Sequence, residues 1–205
     1  ILGKRRGRIR ILYEGNGTIK GGFSMRLEET LLQTAKELGF DNYQVIDTAA
    51  LHFDERFRMY CETNYCGNYD NNYSCPPACG EAKELGDKAR AFERALVLQT
   101  ITPVKDITND SETKEIKRRH NQMTWSLIES VAGEVGEYLP AMAGPCQICS
   151  PCAKELGKDC PFPQKRASCL SAFCVKVDAL AEYCKIPYYC EGEVAFFSIL
   201  FFQQK

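Results

Sequence analysis

The stretch VAFFSILFF (194–202) decides how this chain folds. It carries one polar residue, Ser198, in an otherwise unbroken apolar run. Nine residues are far short of the roughly twenty that a helix needs to cross a bilayer. The run is also rich in aromatic residues, so it reads as a buried strand. Working outward, ALVLQTITPV (95–104) is its counterpart, β-branched and closed by a proline. EAKELGDKARAFER (81–94) precedes that strand with a helical pattern. Further back, Leu27, Leu31, Ala35 and Leu38 share one face of a helix that Gly39 can close, and YQVIDTAAL (43–51) reads as a strand. In the second half, Ile116, His120, Met123, Leu127 and Val131 keep helical spacing behind a cap at Asn109 or Asp110. YLPAMAG (138–144) is extended, and ASCLSAFCVKVDALAEYC (167–184) reads as a helix.

The order is helix, strand, cysteines, helix, strand, and then the same elements again, although no residue-level repeat joins the halves. Such alternation predicts an α/β fold: a small mixed sheet of about four strands, covered by helices, with cysteine-rich loops at strand ends. Residues 25–205 form one domain in this reading. Met25 opens the first clear helix, so residues 1–24 read as a non-native extension; an amino-terminal hairpin (RIRILYEG, then TIKGGFS) is the alternative.

With 205 residues, 44% hydrophobic and 26% charged, the chain has the composition of a globular protein. A net charge of -1 argues against a general nucleic-acid binder. The basic run KEIKRRH (114–120) reads as a solvated helix face. No apolar run has membrane-spanning length, and the basic start lacks a signal-peptide core, so the expected location is cytoplasmic. Twelve cysteines in a reducing compartment point to metal or redox chemistry rather than disulfides.

The cysteines fall in two blocks. The second, AGPCQICSPCAKELGKDCPFP (143–163), holds Cys146-x2-Cys149-x2-Cys152-x7-Cys160-Pro161. It departs from the bacterial ferredoxin run only in its last interval. Two-residue intervals let a tight turn present successive sulfurs to one centre, with its amides free to hydrogen-bond them. Three cysteines in one loop suit the separate iron corners of a [4Fe–4S] cubane. Structural zinc, the competing cofactor, usually takes two cysteines from each of two loops. The first block, RFRMYCETNYCGNYDNNYSCPPACGE (56–81), holds Cys61, Cys66, Cys75 and Cys79 at irregular spacing among tyrosines and asparagines. Four ligands there would close a second cluster. Three, without Cys79, would leave one iron open to a substrate, with Arg58, Tyr65 and Tyr69 as candidates to hold it.

Taken together, CGNYDNNYSCPPAC (66–79), AGPCQICSPCA (143–153) and DCPFPQKRAS (159–168) resemble the uncharacterised predicted metal-binding proteins of bacteria and archaea, a domain of unknown function. The resemblance runs from about Met25 to Phe202. It implies metal binding, most readily iron–sulfur, by Cys61, Cys66 and Cys75 and by Cys146, Cys149, Cys152 and Cys160, and it brings no established reaction. It also implies that Cys79 stands where relatives usually lack cysteine, and that Arg166 matches a basic position of the family motif. Cys169, Cys174, Cys184 and Cys190 read as buried free thiols, and His52 and His120 as packed or hydrogen-bonded side chains. Three functions remain from the sequence: an enzyme using an open-site cluster on a small substrate, an electron-transfer module serving a redox partner protein, and a zinc-stabilised interaction module.

Overall fold

The computed structural model describes residues 22–204. The hairpin expected before Met25 lies outside them, except for Gly22–Ser24, which begin the first helix. Described in chain order are α1 (Gly22–Leu38), β1 (Asn42–Asp47), α2 (Arg58–Glu62), α3 (Ala82–Arg90), β2 (Arg94–Pro103), α4 (Asp110–Val131), β3 (Val135–Ala141), α5 (Val177–Cys184) and β4 (Glu193–Gln204). Among the described residues no helix is long and apolar enough to cross a membrane.

The four strands form one sheet in the order β1-β2-β4-β3. The α/β class and the four helix-covered strands are as expected; where a mixed sheet was anticipated, all three pairings run antiparallel. The reason lies in the connections. Thr48 N–H donates to Glu93 C=O (2.9 Å), so the excursion after β1 leaves and re-enters at the same end of the sheet. Strands joined in that way oppose one another, because a parallel pair requires a crossover to the far end.

The central strands β2 and β4 are buried on both faces, which is why their sequences lack polar alternation. Leu96, Leu98, Leu200 and Phe202 face a cluster with Leu27, Leu31 and Ala35 of α1 and Leu127, Ile128 and Val131 of α4. Ala95, Val97, Phe197, Ile199 and Phe201 face the other side, with Leu85 and Ala89 of α3, Leu180 and Ala181 of α5, and the segment around Phe173. The halves therefore repeat in space as in order: α1 and α4 lie on one face, α3 and α5 on the other.

Local signals set the helix ends. Gly39 adopts φ +88°, which lets its N–H bond Lys36 C=O and Phe40 N–H bond Ala35 C=O, both at 3.1 Å. That double closure is the glycine stop of a Schellman motif. Asn109 caps α4 by accepting from Ser111 N–H and Glu112 N–H. His120 is fully buried on α4, with Nδ1 2.9 Å from Thr100 Oγ1 and Nε2 3.0 Å from Ser198 Oγ. Burial pushes its pKa down to about 3, so it is a neutral, hydrogen-bonded core residue. Trp125 packs partly buried against the α1–α4 cluster.

One expected helix is only half present. Residues 167–176 form turns, and α5 begins at Val177. Cys174 sits in the left-handed region, φ +58°, which ends any helix through it. Backbone pairing holds the segment instead: Asp54 N–H donates to Cys174 C=O and Lys176 N–H to His52 C=O, both at 2.8 Å.

Candidate metal centre

The two cysteine blocks follow β1 and β3, the opposite edges of the sheet. They meet because residues 52–54 pair with 174–176, folding both excursions over the α3–α5 face.

The second block is built around Cys146. Gly144, at φ +68°, and Pro145 turn the chain out of β3. A side chain at Gly144 would collide with Lys117, whose Cδ lies 2.8 Å from the place of a Cβ. Burial pushes the Cys146 thiol up, and the Ile148 amide acts against that shift. The seven residues between Cys152 and Cys160 fold into a 3₁₀ turn, Ala153–Leu156, closed by Gly157 at φ +62°. That turn loops out and returns Cys160, so the long last interval still brings four sulfurs around one pocket. Cys146, Cys149, Cys152 and Cys160 line it with Tyr73, Phe162 and Arg166.

The first block wraps onto the second. Asn72 Nδ2 donates to Cys146 C=O (3.0 Å), and Cys146 N–H donates to Ser74 Oγ (2.9 Å). The Asn72 side-chain oxygen in turn accepts from Ser74 N–H and Oγ–H. Tyr73 O–H donates to Lys158 C=O at 3.0 Å, and Lys154 Nζ binds the backbone and carboxylate oxygens of Asp70. The amide-rich composition of the loop therefore serves to join the blocks. Asn64 and Asp70 adopt positive φ, a conformation these two residue types tolerate well.

Within the first block Cys61 lies on α2, Cys66 is exposed, and Cys75 is buried with Ser74 Oγ 3.9 Å from its sulfur. Burial first, and then Cys169, pushes the Cys61 thiol up to about 11 and the Cys75 thiol up to about 12. Both are therefore protonated thiols near neutral pH until an electrophile displaces the proton. Cys79 is half-buried, with its sulfur 3.7 Å from Arg58 Nη1.

The candidate substrate residues are dispersed. Arg58 is buried, and its Nη2 donates to Ala172 C=O at 3.0 Å. Tyr65 is exposed and lines an open cavity of about 830 Å³ between the blocks. Tyr69 N–H is held by Asn64 Oδ1, and Arg166 lies over the Tyr73 ring at 5.8 Å. Three contributors escaped the sequence reading. Asn72 and Ser74 were hidden in a loop where every second residue is polar. Lys117 belongs to the basic run read as a solvated face; Lys114 and Arg118 do pair along the helix, but Lys117 leans over Gly144 into the cavity. Burial, then Lys114, pushes its pKa down.

Among the described residues no three His, Cys, Asp or Glu side chains gather around an ion-sized point. The thiols of each block are neighbours spread over a wider volume. Two thiol-rich loops folded together on a helix-covered sheet define a metal-binding α/β protein. The chain belongs to the family described as Predicted metal-binding protein (DUF2284), whose model matches residues 44–202 and spans both cysteine blocks. Neither the curated proteins nor the solved structures contain a match to it.

Proposed function

We propose that the chain is an iron–sulfur protein, with one [4Fe–4S] site at Cys146, Cys149, Cys152 and Cys160 and a second in the loop of Cys61, Cys66 and Cys75, working as an electron-transfer module. Bound clusters would supply one-electron exchange. Among the links between the blocks, one carries the reading: Ser74 Oγ accepts from Cys146 N–H, and its chain neighbour is Cys75. Ligands of two centres thus stand one hydrogen bond apart, a short path for electrons. Three cysteines at two-residue intervals in one loop support a cluster over zinc, since structural zinc usually takes two cysteines from each of two loops. The chain's own part is to hold the thiols around one pocket and to set Tyr73 and Phe162 beside them. Twelve unpaired cysteines fit a reducing, cytoplasmic setting.

A second reading, an enzyme acting on a small anion, draws on the 830 Å³ cavity, where Lys117 and Tyr65 stand beside Cys66. The test of the main reading is iron, zinc and acid-labile sulfide per chain after anaerobic purification. About eight irons with eight sulfides is the expected result. Zinc without sulfide would replace it with a metal-stapled interaction module.

A further inference from the structure

Among the described residues Arg58 is the only Lys, Arg, Asp or Glu in the buried class, at 8% exposure. A charge taken out of water is ordinarily met by an opposite one. Arg94, which is also largely covered, follows that rule, since Glu28 and Asp47 both bind it. Arg58 breaks it. Its Nη2 donates to Ala172 C=O at 3.0 Å, its Nη1 lies 3.7 Å from the Cys79 sulfur, and its Nε is buried with no partner. Among the described residues no carboxylate pairs with it. Asp54 gives both its carboxylate oxygens to Arg56, and Glu55 and Glu62 are exposed. A guanidinium does not shed its proton in a protein, so the unmatched charge is permanent.

Thiols stand where a carboxylate would. Arg58 opens α2, one turn before Cys61. Cys79, which Nη1 reaches, is tied by its N–H to Cys75 C=O at 3.0 Å. The Cys174 sulfur lies 3.9 Å from the same Ala172 carbonyl that Nη2 binds. The guanidinium therefore sits where α2 meets the turn from Cys75 to Cys79, between two segments that carry thiols of the first block. Protonated thiols leave its charge unanswered. A cubane held by thiolates is negative, and it gains one more negative charge on reduction. The orphaned Nε and the missing carboxylate fit a site whose negative charge arrives with its cofactor.

We infer that Arg58 is the counter-charge and positioning residue of the first metal centre, acting through the Cys79 sulfur rather than on a substrate. The inference rests on the cluster reading above. Metal binding turns an unmatched buried charge into a matched one, so Arg58 favours the loaded chain over the metal-free chain. Reduction places a further electron near a fixed positive charge, so Arg58 raises the potential of the first centre. The electron comes from the reductant; no bond forms or breaks at Arg58, and its protons stay.

The experiment compares the full chain with Arg58→Met, which drops the charge at similar volume, and Arg58→Lys, which keeps the charge. Each is loaded anaerobically with ferrous iron and sulfide, reduced stepwise with dithionite and followed by electron paramagnetic resonance. The signal that survives Cys149→Ala is that of the first centre. In Arg58→Met the first-centre potential shifts down, or that centre's metal affinity falls about 10–100-fold, while the second centre is unchanged. Arg58→Lys restores most of the loss. Denaturant unfolding adds a readout that a purely structural arginine would not give. Metal-free Arg58→Met is at least as stable as metal-free wild type, whereas the loaded variant is less stable than loaded wild type. A first centre unchanged in both potential and affinity, or equal destabilisation with and without metal, overturns the inference. Should Arg58→Met not fold, Arg58→Gln is judged by the same outcomes, since it drops the charge and can still donate to Ala172 C=O. Wild type without iron and sulfide defeats the cluster reading itself; the unfolding comparison, repeated with zinc, then decides Arg58 separately.

Discussion

The two cysteine loops leave opposite edges of one sheet and span nearly equal lengths of chain, 48–81 and 142–176, yet they are built differently. The second draws its thiols from residues 146–160 and returns the last through its own glycine-closed turn. The first spreads its thiols from 61 to 79 and is held by contacts to the other half: Arg58 to Ala172, Asn72 and Ser74 to Cys146. One loop organises itself; the other is organised by the fold. A self-contained loop tolerates damage elsewhere, whereas an assembled one reports on the whole structure.

The most forceful way to break this contrast is to remove a thiol from the self-contained loop. Cys149→Ala is expected to abolish metal at the second centre and leave the first in place, a loss of about half the bound metal, read by metal analysis. Next in size is Asn72→Ala. Asn72 is buried, and its amide holds Cys146 C=O and both polar groups of Ser74. Leaving those groups unpartnered costs about 2–3 kcal/mol, measurable by denaturant unfolding of the loaded protein. Because the residue joins the loops, both centres should lose metal affinity, by about 10–100-fold.

His120 sharpens the contrast from the face that carries no thiol. Its folded-state pKa is about 3, below the ordinary 6.5. Between those values the unfolded chain holds a proton that the folded chain refuses. Stability present above pH 6.5 is therefore lost as pH falls, at up to about 1.4 kcal/mol per unit for one proton. His120→Gln should flatten that part of the profile, read as the wild-type minus variant difference in unfolding free energy. Smallest is Asn109→Ala, which removes the α4 cap: about 1 kcal/mol of stability by thermal or denaturant melting, with metal content unchanged.

How much the residues disclosed follows the same division. Strands β2 and β4 were legible because burial on both faces leaves an unbroken apolar run, and α1 and α4 because glycine and asparagine mark their ends locally. Strand direction was not legible, since it depends on where a long excursion re-enters the sheet. The turn at 167–176 was misread as helix because its apolar residues are spaced for burial, while the interruption at Cys174 is a matter of backbone conformation. The pocket of Cys146 to Cys160 follows from spacing within one turn. The packing of residues 172–176 against the first block does not, because it is created by pairings between residues more than a hundred positions apart.

The two-sided sheet has one further consequence. The cluster beneath α1 and α4 contains no cysteine, whereas the opposite cluster includes Cys169 and Cys184 and has Cys79 packed against it. Metal-free protein should accordingly soften on one side only. Amide hydrogen exchange follows the free energy of local opening. In the apo chain, amides of α1 and α4 should exchange slowly while those of 48–81 and 142–176 exchange fast, and metal should slow the second group alone. Strands β2 and β4, shared by both sides, would stay protected throughout, so that the sheet acts as a wall insulating a permanent half of the molecule from a half whose order depends on its cargo.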